Sequence, residues 1–189
     1  MIQVPISVPS ASSDHAREGL WLIVMGVAGC GKSTLARHVA DALKLTFIEG
    51  DQFHPPENIE KMSQGIALDD TDRDGWLDRL GVELRSHPAG AVLACSALKR
   101  AYRTRLRQAV PGLCFAHLSI TQELANARVQ SRFGGHPFPS SLVASQFATL
   151  EDPRGEARVL QLDGAIAPSV LCAKTIEWLD AQGLGSNAK

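Results

Sequence analysis

The first residues whose spacing suggests chemistry form a glycine-rich segment that ends in lysine and serine. They fit the pattern GxxxxGK[ST] and are Gly26, Val27, Ala28, Gly29, Cys30, Gly31, Lys32 and Ser33. Glycines in such a loop let successive backbone N–H groups point inward at phosphate oxygens, and a helix that follows adds the positive end of its dipole. We expect Lys32 to reach the β- and γ-phosphates of a nucleotide, Ser33 to ligate Mg²⁺, and Thr34 to assist at the α-phosphate.

The sequence around this loop strengthens the prediction of a nucleotide site but leaves the reaction open. An apolar run before the loop, Leu20 to Met25, is typical of a buried strand, and Lys32 to Leu43 has helical spacing. A chance match to the pattern is expected in about one chain in a hundred of this length, and these flanks reduce that frequency further. Kinases, GTPases and motor ATPases share the loop, so other residues have to separate them.

Acidic residues after the second predicted strand favour a small-molecule kinase. Many ATPases with this loop carry an acid after a later apolar strand, but here the strand Ala91 to Cys95 is followed by Ser96. Glu49 and Asp51 instead follow the second strand, and at this spacing they can face the same side of an extended segment. One could bind a metal-bound water while the other accepts the proton of an acceptor hydroxyl. Asp51 could also be only a turn residue after Gly50, so its role stays open here.

Two further groups of polar residues are candidates for substrate and phosphate contacts. His54, Asn58 and Lys61 give the segment after the second strand a density of donors that a simple connector would not need. Arg128 and Arg132 lie one helical turn apart, where an arginine could fold over the phosphates as charge moves to the leaving oxygen. We expect Arg132 to have this catalytic role and Arg128 to contribute to nucleotide binding; the alternative is an exposed pair.

These residues are distributed over an alternation of strands and helices, which predicts an α/β fold. Apolar runs predict five buried strands, at residues 20–25, 45–48, 91–95, 113–120 and 159–162, with helical spacing between them. This alternation predicts a parallel sheet with helices on its faces, in one domain spanning residues 20–182. We expect residues 1–19 and 183–189 to be a flexible tail and a frayed end. The Gly- and Pro-rich segment at about 133–140 is expected to act as a lid.

The helix predicted between the second and third strands has both a start signal and an apolar stripe. Thr71 and Asp74 are expected to form its capping pair. Its apolar stripe consists of Trp76, Leu77, Leu80 and Leu84. We therefore expect this helix to pack against the sheet and Trp76 to belong to the core.

Composition and charge argue against several other classes of protein. Lys and Arg number 19 against 20 Asp and Glu, and a net charge of −1 gives no long-range field that would attract nucleic acid or an anionic membrane. The cysteines are too widely spaced for a secreted disulfide scaffold and are Cys30, Cys95, Cys114 and Cys172. No apolar run approaches the ~20 residues that cross a bilayer. We therefore expect a cytoplasmic protein with reduced thiols and with neither nucleic-acid nor membrane partners.

Segments beyond the phosphate loop resemble the gluconokinase family. The segment from Gly50 to Trp76 contains GDQFHP, Cys95 to Arg103 resembles that family's CSALKxxYR segment, and Ser145 to Glu151 resembles its SQFxxLE segment. The resemblance covers about Leu20 to Leu179. It implies a P-loop NTPase fold similar to shikimate kinase, with a five-stranded parallel sheet, flanking helices and a closing lid. It also implies ATP as cosubstrate, Mg²⁺, D-gluconate as acceptor, 6-phospho-D-gluconate as product, and a homodimer.

With D-gluconate as the implied substrate, specific side chains become candidates for its site. Gluconate has one carboxylate and a row of hydroxyls, so its site needs a cation among neutral and acidic hydrogen-bonding groups. Lys99 and Arg103, one helical turn apart, are candidates for that cation; the alternative is a solvated basic face. The candidates for binding hydroxyls are Asp51, His54, Ser96 and Gln146. The residues expected to take part in the transfer itself are Lys32, Asp51 and Arg132.

Two other functions are compatible with the phosphate loop. Another small-metabolite kinase, such as a shikimate kinase, would use the same loop and the same early aspartate, but the GDQFHP and CSALK segments argue against it. A nucleotide-dependent module that binds ATP without transferring a phosphoryl group is the other alternative. It predicts no acceptor pocket, the matched polar segments beyond the loop count against it, and ATP consumption that depends on a sugar acid would separate a kinase from such a module.

Overall fold

Five strands form one sheet in the computed structural model, which describes residues 19–132 and 140–184. They are β1 (Leu20–Met25), β2 (Thr46–Glu49), β3 (Gly90–Ala94), β4 (Cys114–Ser119) and β5 (Val159–Asp163). Their order in the sheet is β2-β3-β1-β4-β5, and every neighbouring pair is parallel. The predicted α/β fold with a five-stranded parallel sheet is therefore confirmed, with each predicted strand end within one residue of the observed one.

Helices connect and cover these strands. Within the described ranges they are α1 (Lys32–Leu43), α2 (Pro56–Ser63), α3 (Asp70–Arg85), α4 (Arg100–Ala109), α5 (Gln122–Arg132), α6 (Ser140–Thr149) and α7 (Pro168–Ala181), with a single 3₁₀ turn at Gly50–Phe53. Helix α2 lies in a segment without a regular apolar pattern, where Pro56 starts it at a position that needs no N–H donor. None of the described helices is long and apolar enough to cross a membrane.

The central strand β1 is buried on both of its faces. The side chains of Leu22 and Val24 lie on the face of the sheet that α1 and α7 cover. Those of Ile23 and Met25 lie on the face that α3 and α4 cover. All four side chains are fully buried, and each contributes about 2 kcal/mol by removing apolar surface from water. Because β3 and β4 pair with opposite edges of β1, the strand order reverses at this strand. The carboxyl end of such a strand opens into a crevice where α/β proteins bind ligands.

Helix α3 begins with a capping box formed by Asp69 and Asp72. The Asp69 carboxylate accepts a hydrogen bond from the Asp72 N–H at 2.9 Å, and the Asp72 carboxylate accepts one from the Asp69 N–H at 3.0 Å. The predicted capping pair of Thr71 and Asp74 is wrong, because the capping residue lies two positions earlier. This box fixes the direction of the first turn of α3, which borders the cavity described below.

A buried guanidinium, that of Arg103 in α4, joins two loops of the fold. The side chain has no exposed surface. Its Nη1 donates to the carbonyl oxygens of Ala97 at 2.9 Å and Leu98 at 2.8 Å, in the loop after β3. Its Nη2 donates to the Glu151 carbonyl at 3.1 Å, and Nε and Nη2 both donate to the Glu156 carboxylate. All five N–H groups therefore have partners, and the loop after β3 is held against the loop after α6.

The structure also bears on the predicted limits of the domain. Leu184 packs against the core face covered by α1 and α7, and its N–H donates to the Leu179 carbonyl at 3.0 Å. The packed domain therefore reaches at least residue 184, and the prediction of a frayed end is wrong for residues 183 and 184. The predicted tail up to residue 18, the predicted lid at 133–139 and residues 185–189 lie outside the described residues.

Glu156 balances the charge of Arg103 and of a second arginine, Arg107. Its carboxylate accepts from Arg103 Nη2 at 2.6 Å and from Arg107 Nη1 at 2.8 Å, and its side chain is only 9% exposed. Burial by itself would raise the pKa of Glu156, but the hydrogen bonds from Arg103 and Arg107 outweigh burial and lower that pKa from 4.5 to about 2. A carboxyl group with a lowered pKa stabilises the fold at neutral pH, and this stabilisation is lost as the pH falls from 4.5 toward 2.

We predict that Glu156→Gln lowers the free energy of unfolding by about 2 kcal/mol at pH 7, because it leaves a buried guanidinium without its counter-charge. The difference from the unsubstituted protein should shrink as the pH falls from 4.5 toward about 2, where Glu156 in the folded protein becomes protonated. Urea unfolding at several pH values measures this difference. The control is Asp41→Asn, which removes an exposed carboxylate on α1 and should have little effect. A difference that stayed constant over this pH range would contradict the assigned pairing.

Candidate active site

The phosphate-binding loop lies between the carboxyl end of β1 and the start of α1, as predicted. The Gly26 N–H donates to the Ser96 carbonyl at 3.3 Å, which ties the loop to the residue that follows β3. Gly29 has a φ of +78°, and a Cβ there would lie 2.7 Å from the Ala125 carbonyl oxygen, so this turn requires glycine. Helix α1 begins at Lys32 inside the loop, and its unpaired N–H groups therefore point toward the space that phosphates would occupy.

Most of the predicted phosphate-binding residues line one cavity, and these are Ala28, Gly29, Cys30, Gly31, Lys32, Ser33 and Thr34. Gly26 and Val27 do not line it; the Val27 side chain is buried, and its carbonyl accepts from Lys32 Nζ at 3.0 Å. The Lys32 ammonium therefore lies across the loop. The Cys30 side chain is buried, and burial raises the pKa of its thiol, so Cys30 contributes backbone and packing rather than a reactive thiolate. All four cysteines are free.

Gln146, from helix α6, contacts the phosphate loop directly. Its side-chain oxygen accepts a hydrogen bond from the Ala28 N–H at 2.6 Å, and the residue also lines the cavity. Because the loop uses this oxygen, only the amide NH₂ group of Gln146 is left for the predicted binding of substrate hydroxyls. Helix α6 is thus joined to the loop as well as to the cavity wall.

The cavity has a volume of about 470 Å³ and extends from the loop to both sides of β1. At the side nearer β2 it is lined by Asp51, His54, Met62, Leu68, Arg73 and Trp76. At the side nearer β5 it is lined by Arg128, Ser131, Gly164, Ile166, Pro168 and Leu171. We call these two parts the β2 end and the β5 end. Because the phosphate loop lies between them, groups bound at the two ends would meet at Lys32 and Ser33.

Asp51 reaches the β2 end because a glycine lets the chain turn tightly after β2. A Cβ on Gly50 would lie 2.5 Å from the Ala94 carbonyl oxygen of β3, so a larger residue would push the 3₁₀ turn away from the sheet. The Trp76 Nε1–H donates to the Gly50 carbonyl at 2.8 Å and holds the same turn from α3. Asp51 is exposed toward the cavity, and Ser96, after β3, lines it as well. The structure therefore brings these two predicted residues together.

His54, predicted to bind substrate, is held between Trp76 and Asn58. Its ring stacks on the Trp76 indole with centroids 4.3 Å apart and planes 11° from parallel. Asn58 Nδ2 lies 3.3 Å from His54 Nδ1 and 2.7 Å from the Asp72 carbonyl oxygen. Burial lowers the pKa of His54, and the Asp51 carboxylate opposes this only in part, so the ring is neutral at neutral pH. Trp76 is a core residue, as predicted, and also a wall of the cavity.

The cation that lines the β2 end among the described residues is Arg73, which was not among the residues predicted from the sequence. Its Nη1 donates to the carbonyl oxygens of Leu68 and, at 3.2 Å, of Asp69. Its guanidinium carbon lies 5.7 Å from the centroid of the Tyr102 ring. Arg73 precedes Trp76 by three residues, so both side chains face the same side of α3. That spacing was the available signal for Arg73.

The two cations predicted for the substrate carboxylate lie elsewhere. Lys99 does not line the cavity and forms an ion pair with the Asp70 carboxylate at 2.7 Å. Arg103 is buried, and all of its N–H groups are used within the fold, so the prediction that it binds substrate is wrong. Glu49, the second candidate acid, does not line the cavity either. Asp51 is therefore the acid of this pair that can contact a bound acceptor.

The β5 end combines a planar cation with apolar side chains. Arg128 Nη1 donates to the Gly164 carbonyl at 2.8 Å, and Ile166 and Pro168 lie in the same wall. Guanidinium planes and apolar side chains are suited to a flat heteroaromatic ring, and the contact of Arg128 with a nucleotide stays a prediction. The side chain of Arg132 lies outside the described residues, and its catalytic role stays a prediction.

Comparison with known proteins connects this geometry to a family. A family model described as shikimate kinase matches residues 28–131. The gluconokinase of Gluconobacter oxydans is 45% identical over 166 residues, which cover 86% of this chain and 92% of that protein. A crystal structure of a gluconokinase from Sinorhizobium meliloti is 43% identical with a TM-score of 0.77 and covers 88% of this chain and 98% of its own.

A second solved structure, of a sugar kinase from Janibacter, is 39% identical with a TM-score of 0.80 and covers 89% of this chain and 99% of its own. Identity at this level, over more than four fifths of both chains, extends well beyond the phosphate loop and includes the segments that form the β2 end. Together with the shared sheet, it shows that the chain belongs to the gluconokinase family of shikimate-kinase-like proteins.

Proposed function

We propose that this chain transfers the γ-phosphoryl group of ATP to D-gluconate and releases ADP and 6-phospho-D-gluconate. The observation that carries the proposal is a continuous cavity in which Lys32 faces the same space as Asp51 and Arg73. Such a cavity can hold a triphosphate and a hydroxylated acid side by side, which is the arrangement that direct transfer requires. The identity of the acceptor is supported by relatives named gluconokinase that are 34% to 45% identical to the chain.

The β2 end offers partners for both chemical features of gluconate. The carboxylate would pair with Arg73, whose planar guanidinium is suited to bidentate binding of a carboxylate. The hydroxyls would bind to Asp51, His54 and Ser96, which supply acceptors and donors in the same space. One cation among acidic and neutral hydrogen-bonding groups fits a sugar acid better than an uncharged sugar.

Asp51 would orient the attacking hydroxyl and accept its proton as the new O–P bond forms. The bond between the γ-phosphorus and the bridging oxygen breaks at the same time, and ADP leaves with that electron pair. Lys32 would stabilise the charge that moves onto the phosphates. Because the transition state of phosphoryl transfer is loose, the position of the hydroxyl matters more than the basicity of Asp51.

The residues around the loop fit Mg²⁺ bound together with ATP. The Ser33 hydroxyl lines the cavity beside Lys32 and would be the protein ligand. The described residues contain no group of three or more His, Cys, Asp or Glu side chains that could hold a metal alone, so phosphate oxygens and water would supply the other ligands. When bound, the ion neutralises phosphate charge. The proposal also includes a cytoplasmic homodimer, for which the family resemblance is the support.

A shikimate kinase is the second candidate, because the matching family model carries that description. The phosphate loop and Asp51 would serve both reactions, and Arg73 could pair with either carboxylate. The gluconokinase assignment is favoured by the relatives, which align over most of the chain and not only over the matched range. A module that only binds ATP is disfavoured, because the β2 end extends the cavity beyond the phosphate loop.

We predict Mg²⁺-dependent release of ADP that requires D-gluconate, because the cavity holds an acceptor beside the phosphate loop. A coupled ADP assay with gluconate, shikimate and glucose tests both the acceptor and the need for its carboxylate. Of these three acceptors, only gluconate should raise the rate of ADP release well above background. If shikimate raised the rate while gluconate did not, the acceptor assignment would be wrong, and ADP release without any acceptor would indicate an ATPase.

We predict that Asp51→Asn lowers kcat by about 100-fold or more, since it keeps the size of the side chain but removes the group that accepts the proton. The KM for Mg·ATP should change little. Steady-state kinetics with both substrates varied measure these effects. A loss of Mg·ATP affinity that excess Mg²⁺ restores would assign Asp51 to the metal instead, and a nearly normal kcat would remove it from catalysis.

We predict that Arg73→Gln raises the KM for gluconate by about 10- to 100-fold, because a charge-assisted hydrogen bond to the carboxylate is lost. Lys99→Gln is the matched control, since this cation lies outside the cavity and should leave the gluconate KM unchanged within about threefold. The unfolding temperature of both variants checks that α3 is intact. If Lys99→Gln raised the KM for gluconate and Arg73→Gln did not, Lys99 would be the cation that binds the gluconate carboxylate, as first predicted from the sequence.

A further inference from the structure

We infer that Asn58 holds His54 as the neutral tautomer protonated on Nε2, so that the ring donates one hydrogen bond from Nε2 to an oxygen of the acceptor. This inference rests on the proposed function, because it assigns a donor within the acceptor site. Asn58 does not line the cavity and would act only through His54. It is therefore a positioning residue, and His54 is the group that contacts substrate.

The hydrogen bonds of Asn58 determine which nitrogen of His54 carries the proton. Asn58 Nδ2 lies 2.7 Å from the Asp72 carbonyl oxygen, which can only accept, so the atom at this position must be the amide nitrogen. The same nitrogen lies 3.3 Å from His54 Nδ1 and directs its second hydrogen there. Nδ1 must then be the unprotonated acceptor. In a neutral imidazole the proton consequently lies on Nε2.

The remaining edge of the His54 ring is the part available to a ligand. One face of the ring is covered by Trp76, and Nδ1 is occupied by Asn58. The residue is 8% exposed and lines the cavity. Nε2 has no hydrogen-bond partner among the described residues. The atom is also not enclosed by protein. The Nε2–H group therefore has access to the cavity from a ring that cannot easily rotate.

The surroundings of Asn58 make this arrangement rigid. Asn58 is 3% exposed, and its anchor, the carbonyl of Asp72, lies in the first turn of α3. The Asp72 carboxylate also pairs with Lys61 Nζ at 2.6 Å, which joins α2 to the same turn. Arg73 is the next residue of that turn. One anchor thus sets the position of the histidine donor relative to the arginine that would bind the acceptor carboxylate.

The chemical consequence is a division of labour between His54 and Asp51. The Asp51 carboxylate can only accept hydrogen bonds when ionised, whereas the His54 Nε2–H can only donate. The hydroxyl bound to Asp51 is thereby oriented with its proton toward the carboxylate, and a second oxygen of the acceptor is bound through its lone pair. If His54 carried its proton on Nδ1, two acceptors would face the substrate and this discrimination would be lost.

Nuclear magnetic resonance of the ¹⁵N-labelled protein tests the tautomer without any substrate. The one-bond N–H coupling and the nitrogen shifts of His54 should show a protonated Nε2 and an unprotonated Nδ1. In Asn58→Asp, the new carboxylate would accept from Nδ1 and should move the proton to that nitrogen. A protonated Nδ1 in the unsubstituted protein would overturn the inference.

Two substitutions of His54 test the donor in catalysis, because their amide nitrogens replace different ring nitrogens. The amide nitrogen of His54→Gln can occupy the position of Nε2, whereas that of His54→Asn lies nearer Nδ1. We expect His54→Asn to raise the gluconate KM by about 3- to 10-fold and His54→Gln to raise it several-fold less, with the KM for Mg·ATP unchanged in both. Equal effects of the two substitutions would show that His54 only packs against Trp76.

The effect of Asn58→Asp on kinetics should follow the effect on the tautomer. The KM for gluconate should rise by about 3- to 10-fold, as in His54→Asn. Gln108→Glu is the matched control, since it adds the same charge at an exposed position of α4 outside the cavity and should change nothing. Active protein in which Asn58→Asp leaves the gluconate KM unchanged would contradict the inference. Absence of gluconate-dependent turnover in the unsubstituted protein would instead contradict the proposed function.

Discussion

The placement of a strand buried on both faces at the centre of a parallel sheet is the constraint on which the remaining structure depends. Because β3 and β4 pair with opposite edges of β1, the residues after all five strands meet around the carboxyl end of β1. The phosphate loop continues from this strand, and the two ends of the cavity lie on either side of it, toward the edge strands β2 and β5. A chain of net charge −1 cannot concentrate phosphate through its overall field, so backbone dipoles and Lys32 have to bind it locally.

Some of the polar residues shared with the gluconokinase family stabilise the fold rather than contact the substrate. Arg103 and Glu151 belong to the two segments CSALKxxYR and SQFxxLE, which are distant in sequence and meet in the structure. The Glu151 N–H donates to the Leu98 carbonyl at 3.0 Å, and the Glu151 carboxylate accepts from the Arg100 N–H at 2.6 Å. With the Arg103 guanidinium between them, the two loops form one hydrogen-bonded unit that supports the floor of the site at Ser96.

The parts of this structure that local patterns encode were predictable from the sequence, and the parts that depend on packing between helices were not. Apolar runs predicted the ends of each strand to within one residue, and the spacing of its glycines predicted the phosphate loop. Helix α2 could not be found by periodicity, because Asn58 is the residue that it buries. For Arg103 a signal existed and was not used: it precedes Leu106 by three residues and Val110 by seven, which places it on the buried side of α4. Arg73 shares one side of α3 with Trp76, and that spacing could have been used, whereas the pairing of Lys99 with Asp70 outside the cavity depends on packing between separate elements, which no local pattern specifies.

The contact between Gln146 and the Ala28 N–H makes nucleotide binding and the position of α6 thermodynamically linked. Any bound phosphate that displaces the loop at Ala28 must also change the energy of this hydrogen bond, and a shift of α6 must change the affinity of the loop by the same factor. Glu151 follows two residues after the end of α6 and is bound to the loop after β3 and to the start of α4. The carboxyl-terminal part of α6 therefore joins the phosphate loop to the loop after β3, so any displacement of this helix changes hydrogen bonds in both loops.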